Sequence, residues 1–121
     1  MLLIAHAFKE EKPKMYPINQ EAVNLIKKYE DFRPMKYLCP ADQWTIGYGH
    51  QIKKDENFDD MSLTMDEADK LLQEDIKRDY DELMYFCKDM KLSDNQIGAL
   101  TSLYYNLGGT KFHNSILFKK R

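Results

Sequence analysis

The chain has 121 residues, of which 43% are hydrophobic, 31% charged and 12% aromatic, with a net charge of −2. That length suits one domain with a modest core, and that composition excludes a disordered chain. The slightly negative charge, without a basic helix or an RNA-type motif, argues against a nucleic-acid partner.

Charge is unevenly spread. Residues 55–82 hold twelve acids against three bases, and the rest of the chain holds eight against fifteen. A basic portion could meet a polyanion while the acidic portion faces away; alternatively, both are simply solvated surfaces. The apolar start Met1–Phe8 has no basic lead. It is too short to span a bilayer and is a poor signal peptide, so synthesis in the cytoplasm without stable membrane insertion is expected. Cys39 and Cys87 do not make a disulfide framework. His6, His50 and His113 are far apart in sequence, so no metal and no cofactor are expected.

Residues 1–17 read as an irregular lead-in, with Pro13 and Pro17 as breakers. Asn19 can cap a helix beginning at Gln20, with Ala22, Leu25, Ile26 and Tyr29 on one face. Pro34 predicts that this helix ends near Glu30. Residues 36–50 change character: Tyr37 and Leu38 are strand-like, Pro40–Asp42 turn-like, and Trp44–Gly49 rich in β-formers and glycine. They predict a small antiparallel sheet. A polar loop follows over Asp55–Asp60.

Thr64 and Glu67 have capping-box spacing and open a long amphipathic helix. Its expected buried stripe is Ala68, Leu71, Leu72, Ile76, Tyr80, Leu83 and Cys87. Ser93 and Gln96 form a second capping box. The next helix would bury Ile97, Leu100, Leu103, Tyr104 and Leu107 and stop at Gly108–Gly109. Asn114 could cap a last short helix over Ser115–Lys120. The outline is α+β, mostly helical, with a small antiparallel sheet in the N-terminal third.

The chemistry concentrates around the sheet. Glu30 is followed after eight residues by Cys39 and after five more by Thr45, within the run LCPADQWTIGYGH. This pattern is similar to the motif of the phage-type lysozymes, or endolysins, a family of glycoside hydrolases. INQEAVNLIKKYEDF resembles that family's first helix, and LSDNQIGALTSLYYNLGGTKFHNSILFKK its later helical segment. The similarity covers roughly residues 18–120, which read as one lysozyme-like catalytic domain.

The resemblance implies a hydrolase that cleaves the β-1,4 bond between N-acetylmuramic acid and N-acetylglucosamine in bacterial peptidoglycan. Glycoside hydrolysis commonly needs a carboxylic acid to protonate the leaving oxygen, and a second group that positions water or attacks the sugar. By position Glu30 is the acid. It must stay protonated near neutral pH, which calls for desolvation or a nearby negative charge. Phe32 and Trp44 are candidate apolar neighbours. Thr45 matches the position where a hydroxyl helps hold water.

Cys39 stands where many relatives carry Asp. It can act as base or nucleophile if its thiolate is stabilised. Alternatively Asp42 supplies the carboxylate, or Cys39 is only a small buried hydrophobe. Tyr48 and Gly49 lie on the strand that lines the family's cleft, where glycines allow close approach or positive φ. The plain alternative is a tight turn with no ligand. Asn106 matches the family's Asn-x-Gly helix ending at the cleft floor. Tyr104 reads as core, and Tyr105 as an exposed platform for a sugar. His50 reads as structural, bonded to loop backbone.

Two departures from the family stand out. Asp31 replaces a frequent Gly, and would either raise the Glu30 pKa or change the bend after the helix. The family's C-terminal helices are missing, which leaves room for a fragment, a shortened gene, or a partner that supplies them. A non-catalytic glycan-binding or protein-interaction module of the same fold is the alternative function.

Overall fold

A computed structural model describes residues 16–108 of the chain. The elements run α1 (Gln20–Glu30), β1 (Arg33–Leu38), β2 (Trp44–Gly47), β3 (His50–Gln51), α2 (Met65–Phe86) and α3 (Asp94–Leu107). The expected helix over 115–120 and Gly109 lie outside the described residues. No helix among the described residues is long and apolar enough to cross a membrane.

The caps form as the sequence predicts. The Asn19 side chain accepts from the Ala22 amide, and Thr64–Glu67 and Ser93–Gln96 each close both halves of a capping box. Such caps satisfy amides that the first turn leaves without partners. At the other end of α1, Asp31 takes φ 61°, and its amide returns to the Lys27 carbonyl. The Glu30 carboxyl is raised by burial rather than by this neighbour, so of the two expectations for Asp31 the structure favours the bend.

The three strands form an antiparallel sheet in the order β1-β2-β3. Tyr37 pairs with Thr45, Leu38 with Trp44, and Ile46 with His50. Strand β1 starts earlier than the sequence indicates and includes Pro34. Proline is tolerated there because β1 is an edge strand. Gly47 and Gly49 have φ of 69° and 84° around the β2–β3 turn, a conformation that strongly favours glycine.

The core gathers Val23, Ile26, Ile46, Leu72 and Ile76 from α1, β2 and α2, with Tyr16 and Ile18 packed on from the residues just before α1. A second cluster joins Leu83, Cys87 and Tyr104. Leu25 and Tyr29 do not belong to the buried face of α1; both are exposed, and Val23 takes their place beside Ala22 and Ile26. In α3, Leu103 and Leu107 are likewise exposed, while Thr101 and Ser102 are buried. Close approach of α1 and α3 explains this. A Cβ at Gly98 would lie 3.1 Å from the Ala22 Cβ and 3.1 Å from Asn19 Oδ1. Only small residues fit such a crossing, and the Thr101 hydroxyl is satisfied within its own helix by the Ile97 carbonyl at 2.7 Å.

His50 is buried, but not against loop backbone. Its Nδ1 lies 2.7 Å from Asp75 Oδ2 and its Nε2 lies 2.9 Å from Glu56 Oε1. Burial pulls the imidazole pKa down, yet the bonds and charges of Asp75 and Glu56 outweigh it and hold it above the ordinary value. His50 thus pins the sheet to α2 and to the loop after β3.

Candidate active site

Glu30, the last residue of α1, is half-buried, and burial raises its carboxyl above the usual carboxylate range. The β2–β3 turn supplies this desolvation. A Cβ built on Gly49 would sit 2.6 Å from Glu30 Oε1 and 2.9 Å from its Cδ. Backbone therefore lies directly against the acid, where no side chain fits. Gly49→Ala should combine this clash with a left-handed backbone that alanine disfavours. We expect a loss of about 1–3 kcal/mol of stability and of most catalytic activity, checked by denaturant melts beside a turbidity assay.

Cys39 and Thr45 come together across the turn after β1. The Cys39 amide donates to the Gln43 carbonyl at 3.0 Å, and the Thr45 hydroxyl donates to the same carbonyl at 3.0 Å. The Cys39 sulfur accepts from the Gln43 and Ala41 amides and is within reach of the Thr45 hydroxyl, so its pKa lies below the ordinary thiol range. The thiol is half-exposed, not a buried hydrophobe. Asp42 is exposed in the turn at φ 60°, with its amide bonded to the Cys39 carbonyl.

Tyr37 belongs to this cluster, though sequence reasoning did not single it out. Burial and the nearby charges of Glu30 and Cys39 raise its phenol, and it pairs with Thr45 across the sheet. The signal was available: carrying the alternation of β1 one residue past its end puts Tyr37 and Cys39 on one side.

The expected substrate contacts fare differently. The Tyr48 side chain is in the core, tilted at 45° against Phe32 with ring centres 5.5 Å apart, under the Lys27 ammonium, so it is buried rather than presented to a sugar. Tyr105 is not an exposed platform; it packs on the core, and its hydroxyl donates to the Tyr48 carbonyl at 2.6 Å. That bond ties α3 to the turn holding Gly49. Asn106 has a buried Oδ1 without a hydrogen-bond partner among the described residues. Trp44 is half-exposed, with the Lys36 ammonium 4.6 Å from its ring centre.

A cavity of about 350 Å³ reaches both ends of the cluster, touching Gly49 beside Glu30 and Gln43 beside Cys39. Its far wall is α2, through Asp75, Arg78, Asp79 and Glu82. The acidic segment is therefore not turned away from the site. Burial pushes Asp79 up to about 6 even though Arg78 lies 3.2 Å away. Among the described residues no group of three or more His, Cys, Asp or Glu side chains is placed to hold a metal ion.

Residues 27–121 match the family model for phage lysozyme. The chain belongs to the phage lysozyme family. It is 38% identical over 103 residues to the endolysin of Acyrthosiphon pisum secondary endosymbiont phage 1, covering 85% of this chain and 68% of that one. Against the endolysin of Salmonella phage P22 it is 30% identical over 108 residues, with 88% and 73% covered. Among solved structures, the muramidase domain of SpmX from Asticaccaulis excentricus superposes with a TM-score of 0.70 at 30% identity, over 87% of this chain and 69% of that one. As a phage lysozyme the chain is a glycoside hydrolase of α+β lysozyme fold, and the sheet that carries its motif is the one that desolvates Glu30.

Proposed function

We propose that this lysozyme hydrolyses the β-1,4 bond between N-acetylmuramic acid and N-acetylglucosamine in peptidoglycan, with Glu30 as general acid and Cys39 and Thr45 handling the water. The observation that carries this is the Glu30 carboxyl, pressed against the Gly49 backbone, where burial favours its protonated form, at the edge of a cavity that also reaches the Cys39 turn. Glu30 gives its proton to the glycosidic oxygen as the bond to the anomeric carbon breaks. Water attacks that carbon and passes a proton to the Cys39 thiolate. The Thr45 hydroxyl orients the water, and solvent exchange restores both groups. The acid-lined cavity holds the sugars, between Gln43, Gly49 and Tyr105 on one side and α2 on the other.

Product analysis tests the bond assignment. Borohydride reduction of digested walls should label N-acetylmuramic acid; label in N-acetylglucosamine, or none, overturns it. Cys39 is tested separately. Cys39→Ser should lower turnover by about 10²-fold, the size expected for losing a proton acceptor, while Cys39→Asp retains or raises it and Asp42→Asn is nearly silent. Alkylation of Cys39 should inactivate the enzyme, with a rate that rises with pH through a midpoint below about 8.5. Severe loss in Asp42→Asn beside a mild Cys39→Ser would hand the role to Asp42. A protein that binds glycan without releasing reducing ends would be the non-catalytic module instead.

A further inference from the structure

A second cavity, of about 490 Å³, opens on the other side of Ile52 and Lys53, which line it together with the first. Its wall carries the half-exposed Trp44, Phe58, Lys36 and Lys54. It also carries two acids, but both are already engaged. Glu56 accepts from His50 and from the Lys53 amide, and Asp59 is paired with Lys36. Among the described residues Lys53 and Lys54 make no direct ion pair, though the Lys53 charge reaches Glu56, so the lining holds three lysines against two acids, a surplus of positive charge beside an indole.

We propose that this cavity binds the peptide stem that branches from the muramic sugar, taking its carboxylates on Lys53 and Lys54 and its apolar side chains against Trp44. This rests on peptidoglycan being the substrate. Continuity favours the stem over an unattached ligand: a glycan in the first cavity has only Ile52 and Lys53 between it and the second. Charge complementarity favours it too. The first cavity carries Asp75, Asp79 and Glu82 against Arg78 and Lys53, whereas the second carries Lys36, Lys53 and Lys54 against Glu56 and Asp59, so an acidic branch is better placed in the second. The device divides the substrate, with neutral sugars on the acidic side and the anionic branch on the basic side.

Trp44 is the only tryptophan in the chain, so its emission reports this cavity without any turnover. The full chain is titrated with the acidic stem peptide released from walls by an amidase. We expect a saturable change in emission that weakens as salt rises. The double variant Lys53→Glu/Lys54→Glu should bind about tenfold more weakly, since each reversal replaces an exposed attraction with a repulsion. A peptide with amidated carboxylates should bind as weakly as that. No saturable change with the acidic peptide overturns the proposal, as does equal binding by the double variant or by the amidated peptide. A polyglycerol phosphate that saturates the signal where the stem does not would assign the cavity to a phosphate polymer and also overturn it. Failure of the muramidase assignment itself reads out differently, as absent muramic reducing ends, and leaves the emission titration unaffected.

Discussion

Glu30→Gln is expected to lower peptidoglycan hydrolysis by at least about 10²-fold, the usual worth of a positioned general acid, while the fold survives. The substitution keeps shape and replaces a titrating oxygen with an amide that cannot give up a proton to a leaving alcohol. Folding should tolerate it because the site strains to hold a charge there, not a neutral group: burial raises the Glu30 carboxyl. A neutral amide escapes that desolvation cost, so Glu30→Gln should be at least as stable as the parent at neutral pH. The same fact sets the pH dependence. The acid limb of activity follows the group that must be ionised, and the alkaline limb follows loss of the Glu30 proton, so the alkaline limb should sit above the ordinary Glu range near 4.3. Turbidity loss on purified walls and a urea melt check both halves. Wild-type lysis by Glu30→Gln removes the acid role; a collapsed melt would mean that the carboxyl is structural.

The largest effect on stability is expected from His50→Ala. His50 is buried between Asp75 and Glu56, and removing one partner of a buried pair costs about 3–5 kcal/mol because the other charge stays behind. For a domain whose total stability is of order 5–15 kcal/mol, that approaches unfolding. Arg78 lies 3.3 Å from Asp75 Oδ1, but it is half-exposed and cannot replace a ring that bridges two elements. The pH dependence has a definite sign. The folded-state pKa of His50 is raised, so its contribution is fully present below the unfolded value near 6.5 and fades as pH rises through the folded one. Glu56 is held below the usual range, since its bonds to the Lys53 amide and His50 outweigh the effect of burial. Its contribution is present above the unfolded value near 4.3 and fades as pH falls through the folded one. The gap between wild type and His50→Ala, measured by urea melts across pH, should therefore be widest between about pH 4.5 and 6.5 and narrow on both sides. A gap independent of pH would mean that His50 acts by packing alone.

Residues near one another in the chain were enough to fix the caps, the stop of α1 at Glu30, the glycines of positive φ and the motif joining Glu30, Cys39 and Thr45. These depend on local backbone geometry and on spacing, which a sequence states directly. The long-range matters depend on which surfaces meet. Nothing local could say that Gly98 lets α1 and α3 come so close that Thr101 and Ser102 are buried and Leu103 is not. Nor could the charge pattern reveal that acidic α2 forms the far wall of the cavity. Hydrophobic periodicity marks Asp75 and Asp79 as surface, because it cannot see that His50 and Arg78 arrive from elsewhere or alongside to compensate them. The burial of Tyr105 is non-local for the same reason: its phenol packs on the core and donates to the Tyr48 carbonyl, 57 residues away, while the residue still lines the cavity. The sequence by itself singled out Glu30 as the candidate acid. Only the tertiary structure decided its pKa, because desolvation of Glu30 comes from a turn nineteen residues further along whose backbone must fold back onto it.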